Sequence, residues 1–121
     1  MKTLDHRKNI RIWRSFQVKL VKEGLDFSFE GRTVNYSQKG AFIKLKDGLS
    51  FEAHAPAVLT FFLPPDFTGQ NNTIGLQGDA VITRIDRENE GIAVEFIKTF
   101  REFERIDLPD LHEKSDNWIG F

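Results

Sequence analysis

The sequence predicts an all-β domain, a small six-stranded antiparallel β-barrel with a short C-terminal helix. Three observations lead there. The chain carries twelve Phe in 121 residues, and aromatic side chains favour strands, where they pack on a half-buried pleated surface. Its apolar residues fall in short runs that alternate with polar ones at a period of two. Clusters of Gly, Pro, Asn and Asp separate these runs as turns do. About six short strands of this kind close most simply into a barrel, which leaves no strand edge open.

The first run is Ile12 to Val21, where Phe16, Val18 and Leu20 alternate with Ser15, Gln17 and Lys19. Phe27 and Phe29 repeat the alternation before Gly31. Thr33 to Asn35 and Ala41 to Leu45 flank Tyr36-Ser37-Gln38-Lys39-Gly40. The Ser and Gly of that segment provide turn bonding and freedom at positive φ, so the segment reads as a hairpin or a sharply kinked strand pair. Ala57 to Leu63 is a dense apolar run stopped by Pro64-Pro65, because proline brings no N–H to a ladder. Asp66 to Thr73 is polar and contains Gly69, which predicts a loop before the strand Ile74 to Asp86. Arg87 to Gly91 then turns into Ile92 to Lys98, the clearest hairpin signal in the chain. After Thr99 the spacing changes: Phe100, Phe103 and Ile106 suit a helical period, with Thr99 as N-cap, Glu102 at N3 and Pro109 as the stop.

The length suits one domain, which divides into a flexible basic N-terminal arm (1–11), the barrel with its terminal helix (12–108) and a polar C-terminal tail (109–121). Seventeen Lys and Arg against eighteen Asp and Glu give a net charge of −1. This balance gives no general attraction to nucleic acid or anionic lipid, so any anion site is local. The absence of cysteine excludes disulfides, thiolate catalysis and Cys-ligated metals. With no apolar run of membrane length and no apolar leader in the opening residues, the expectation is a cytoplasmic protein without membrane insertion. On that expectation the sequons Asn35-Tyr36-Ser37 and Asn71-Asn72-Thr73 are never glycosylated.

Two short patterns carry candidate chemistry. Arg7-Lys8-Asn9-Ile10-Arg11 is an R-x-x-x-R just before the first strand. The planar guanidinium gives paired hydrogen bonds to a phosphate and stacks on an aromatic base, so two at this spacing suit one anion. Asn35-Tyr36-Ser37-Gln38-Lys39-Gly40 is an N-x-S-x-x-G at a strand end. Its Asn amide reads a base edge, its Ser hydroxyl donates to a phosphate oxygen, and its Gly lets a ligand approach the backbone. Taken singly, each has an ordinary reading, a solvated basic arm or plain turn chemistry.

In this order, and with this strand context, the two patterns resemble the PilZ domain, a bacterial receptor for cyclic dimeric GMP (cyclic di-GMP). The family pattern is an R-x-x-x-R on an arm, a strand, and a D/N-x-S-x-x-G. Here these are RKNIR and NYSQKG, the latter running into AFIKL, and GDAVITRIDRENEGIAVEF resembles the family's later strand pair with its Gly-x-x-Val-x-Phe. The resemblance spans Arg7 to about Ile106. It implies a PilZ-like β-barrel in which Arg7 and Arg11 clamp phosphates and stack on guanine, Asn35 binds a guanine edge, Ser37 holds a phosphate and Gly40 permits close approach. By the same resemblance the domain is a regulatory receptor module without a cofactor. Its arm is ordered by cyclic di-GMP, and it signals to a protein partner in motility, biofilm or exopolysaccharide machinery.

Other constellations lead nowhere. Asp86 to Gly91 has acids at alternate positions like a calcium loop, but its twelfth position is Ile97. His6, His54 and His112 lie far apart, without zinc spacing, and Ser37 has no nucleophile elbow or nearby His. No metal site and no enzyme is expected. Two further readings compete: a PilZ-like protein-interaction adaptor that does not bind the nucleotide, and a single-stranded nucleic-acid binder, which the charge balance opposes.

Overall fold

The computed structural model describes residues 10–22, 28–45 and 51–108. Arg7, with the rest of the expected arm up to residue 9, and the expected tail from Pro109 onward lie outside the described residues. Six antiparallel strands form the barrel: β1 (Gln17–Lys22), β2 (Ser28–Tyr36), β3 (Gly40–Leu45), β4 (Pro56–Leu63), β5 (Ile74–Asp86) and β6 (Gly91–Phe96). Their spatial order is β4-β1-β2-β3-β6-β5, and β5 pairs back onto β4 to close the ring. β5 closes it because it is thirteen residues long. Its first part, Ile74 to Val81, pairs with β4, and its second, Ala80 to Asp86, with β6.

The alternation places one side chain of each pair inside. Val18 and Leu20 of β1, Ile43 of β3, Leu59 and Phe61 of β4, Ile82 of β5 and Ile92 of β6 are fully buried. Phe61 is the hub of the aromatic half of the core, with ring centroids 5.0 Å from Phe100 and about 6 Å from Tyr36, Phe96 and Phe103. Edge-to-face and tilted geometries dominate, as ring quadrupoles prefer.

The structure corrects the expected ends. The first strand begins at Gln17 instead of Ile12, and the last barrel strand stops at Phe96, short of Lys98. The loop after Pro64 opens with a single helical turn, α1 (Pro65–Thr68), because proline's fixed φ suits a first helical position.

The larger correction concerns the C-terminal helix. The capping box forms, with the N–H and hydroxyl of Thr99 donating to Glu102 Oε1 at 3.0 and 3.1 Å. The helix nevertheless ends after one 3-10 turn, Phe100–Glu102, and Phe103 is already extended. The chain then enters a seventh strand, β7 (Glu104–Ile106), paired with Gly75 to Gln77 of β5. Ladder bonds to that edge of β5 replace the helical ones. Phe103 fits because Gly78 leaves room: a Cβ there would stand 2.5 Å from the Phe103 ring.

Candidate functional site

The segment preceding β1 does not leave the barrel at once. Ile12 exchanges both backbone hydrogen bonds with Tyr36, at 2.7 and 3.0 Å, at the end of β2. Farther along, the buried Thr33 knits the same seam. Its hydroxyl donates to the Arg14 carbonyl at 2.6 Å and accepts the Phe16 N–H at 2.8 Å, and its own N–H donates to the Phe16 carbonyl at 2.9 Å. The stretch carrying Arg11 is therefore laid along β2 beside the N-x-S-x-x-G segment.

That segment forms the β2–β3 turn. Ser37 N–H donates to the Gly40 carbonyl at 2.8 Å, and the Ser37 hydroxyl accepts the Lys39 N–H at 3.1 Å. Ser37 is only 4% exposed. The turn is also fastened from outside: the Gln38 carbonyl accepts Phe100 N–H at 2.8 Å, the Gln38 side-chain carbonyl accepts Arg101 N–H at 2.9 Å, and the Lys39 carbonyl accepts Phe96 N–H at 2.7 Å. Gly40 is needed here for a reason the sequence did not reveal. It is not in the positive-φ region. A Cβ at this position would stand 2.4 Å from the Val94 carbonyl oxygen of β6, so glycine permits the close approach of two strands.

Asn35 differs from its neighbours. The β2–β3 register passes from Thr33 opposite Ile43 to Asn35 opposite Phe42, which leaves Val34 as an extra residue. This bulge re-aims the side chain that follows it. Asn35 Oδ1 is buried and has no hydrogen-bond partner, the only such side-chain atom among the described residues. An unpaired buried acceptor costs roughly 1–3 kcal/mol. Arg11 Nη1 reaches the Gly40 carbonyl at 3.5 Å, a long contact, and among the described residues the guanidinium has no other hydrogen-bond partner. Of the five residues singled out in the sequence, the structure thus brings Arg11, Asn35, Ser37 and Gly40 together, and Arg7 lies outside the described residues.

Sequence reasoning missed Arg14 and Trp13. Arg14 pairs with Asp66 at 3.1 Å, and its guanidinium lies 5.2 and 5.1 Å from the ring centroids of Phe16 and Phe67. It fixes the seam to α1. Arg14 also bears on Tyr36, whose phenol burial pushes above its ordinary pKa while the nearby guanidinium pulls it partly back. Trp13, between these arginines, is 73% exposed. The aromatic within an Arg-rich stretch was the available signal.

A family model for the PilZ domain matches residues 5–111. The chain belongs to the PilZ domain family. PilZ domains form a family of cyclic di-GMP receptors and act as regulatory binding modules rather than enzymes. Among solved structures, the inhibitor of motility from Bacillus subtilis (MotI/DgrA) is 25% identical with a TM-score of 0.60. The likeness covers 77% of this chain and 43% of that one, so the chain spans less than half of the motility inhibitor. The PilZ domain of CeSA from a cellulose-synthesizing bacterium shares the fold at 19% identity and a TM-score of 0.57, covering 84% of this chain and 85% of that one. No curated protein is significantly similar to the chain. Within this PilZ barrel no group of three or more His, Asp or Glu is placed to hold a metal among the described residues. No helix among them is long and apolar enough to cross a membrane.

Proposed function

We propose that this PilZ domain binds cyclic di-GMP at the seam between the arm and the β2–β3 turn and passes the change to a protein partner. The observation that carries the reading is the buried, unpaired Asn35 Oδ1 together with Arg11, whose one hydrogen bond among the described residues is the long contact to Gly40. Among the described residues the acceptor has no donor and the guanidinium no anion, and a guanine edge and a phosphate satisfy these two demands. Arg7 and Arg11 clamp the phosphates and stack on guanine, and Asn35 takes the base edge. Ser37 and Gly40 contribute by shape, since the turn they close holds Asn35 in place. The bacterial, cytoplasmic setting and the absence of catalysis belong to the same proposal.

Ligand binding fixes the arm over the turn, and this is the signal. Because Ile12 and Arg14 already donate to backbone carbonyls, the gain in hydrogen-exchange protection should fall on Lys8 to Arg11. The deciding experiment is calorimetry with cyclic di-GMP, GTP and cyclic AMP side by side. Cyclic di-GMP alone should bind tightly, less so as salt rises. Arg7→Ala and Arg11→Ala should each weaken it by roughly ten- to a hundredfold.

One observation favours the adaptor reading instead: the Ser37 hydroxyl and Gly40 are already employed within the fold. Calorimetry without heat for any of the three nucleotides would leave that reading standing.

A further inference from the structure

We infer that Trp13 is the platform on which one base of the nucleotide stacks, an inference that rests on the receptor reading above. Among the exposed large apolar side chains described, Trp13 is the most exposed, at 73%. An indole left in water forgoes a large burial, yet this one is not on a loose segment. On one side, Ile12 is held to Tyr36 by both backbone hydrogen bonds. On the other, Arg14 is held by Asp66 and by the rings of Phe16 and Phe67. Between these anchors the Arg14 N–H donates back to the Ile12 carbonyl at 3.1 Å, which bends the chain at Trp13 and turns its side chain outward. A pinned aromatic binds with little ordering cost.

Its neighbours define the occupant. The segment runs antiparallel to β2, so along the seam Trp13 follows Ile12 as Asn35 precedes Tyr36. Arg11 lies on the other side of Ile12 and reaches Gly40. Within a residue of one backbone bridge stand a cation, an unsatisfied acceptor and an open aromatic face. A phosphate, a base edge bearing N–H donors and a flat π-surface answer these three, and a guanine nucleotide carries all of them. An apolar protein anchor would answer only the indole.

The test uses the full chain with Trp13→Ala and Trp13→Phe. Stacking predicts that Trp13→Ala weakens cyclic di-GMP binding by roughly 5- to 150-fold. Trp13→Phe, which keeps a ring, should stay within about threefold of the parent. Neither should shift the melting temperature of the free protein, because the side chain is in solvent. The chain has two Trp, so Trp118→Phe leaves Trp13 as the sole indole, and its emission should change as nucleotide saturates. Parental affinity in Trp13→Ala, or unchanged Trp13 emission at saturation, would overturn the platform and point to a protein contact while leaving the receptor reading intact. An unsubstituted chain that binds no cyclic di-GMP would overturn both.

Discussion

Two hairpin turns among the described residues, β5–β6 and β2–β3, differ in what holds them. The β5–β6 turn, Arg87 to Glu90, closes mainly on its own residues, with one outside bond, from the Leu45 N–H of β3 to the Glu90 carbonyl at 3.0 Å. Asp86 accepts the Asn89 N–H at 3.1 Å and the Asn89 side-chain amide at 2.8 Å, and all four turn residues are exposed. The β2–β3 turn is fastened to the arm segment at Ile12, to β6 at Phe96 and to the 3-10 turn at Phe100 and Arg101, and its base holds the unpaired Asn35 Oδ1. The β5–β6 turn relies chiefly on bonds within itself. The β2–β3 turn is held by more distant elements, around an acceptor left unsatisfied among the described residues.

Four perturbations break or sharpen that contrast. The largest effect belongs to Phe61→Ala, which removes the ring beneath Tyr36 and Phe100 and should cost about 3–5 kcal/mol in urea denaturation. A loss below about 1 kcal/mol would mean that the β2–β3 side does not depend on this core. Next comes Gly40→Ala, whose methyl meets the Val94 carbonyl oxygen. The forced separation of β3 from β6 should cost roughly 1–3 kcal/mol, with nucleotide affinity reduced because the turn is displaced.

Asn35→Ala should act in the opposite sense on the two readouts. Removing a buried acceptor that has no partner leaves stability equal to or slightly above the parent, while cyclic di-GMP affinity falls. A clear loss of stability at unchanged affinity would assign Asn35 to the turn alone. The smallest effect is expected from Asn89→Ala in the β5–β6 turn, with nucleotide affinity unchanged. There, hydrogen bonds from the Asn89 side chain and backbone, with help from Arg84, hold the Asp86 carboxyl below its ordinary pKa. A depressed folded-state pKa adds stability above the unfolded carboxylate range and loses it as pH falls through the depressed value. The small advantage of the parent over Asn89→Ala should therefore be present at neutral pH and vanish in acid, measured by thermal melts across pH.

Much of the barrel was legible because its information is local. Ile92, Val94 and Phe96 alternate with Ala93 and Glu95, and the strand they predict differs from β6 only at its ends. The full span of β5 was readable from Ile74 to Asp86. The C-terminal element was misread because apolar residues every third position satisfy a helix and equally a tight turn followed by a strand. The choice was made by the edge of β5 at Gly75 to Gln77, far away in sequence. The site divides similarly. Arg11 and the Asn35 to Gly40 pattern can be picked out by residue type and spacing. That Gly40 answers to Val94, that Thr33 stitches the seam, and that Arg14 is committed to Asp66 and two Phe rings depend on partners from other strands.

The pairing of β5 with β4 has a further consequence. With the ring closed, each barrel strand has a neighbour on both flanks, and the strand left at the end of the sheet order, β7, is three residues long. Among the described residues, the edge this leaves for another polypeptide to add a strand to is the short one of β7. On the proposed receptor reading, a protein partner would read chiefly the outside of the barrel. Its vocabulary would then be the positions of side chains and turns, which a bound nucleotide would rewrite without unpicking the rungs of the ladder.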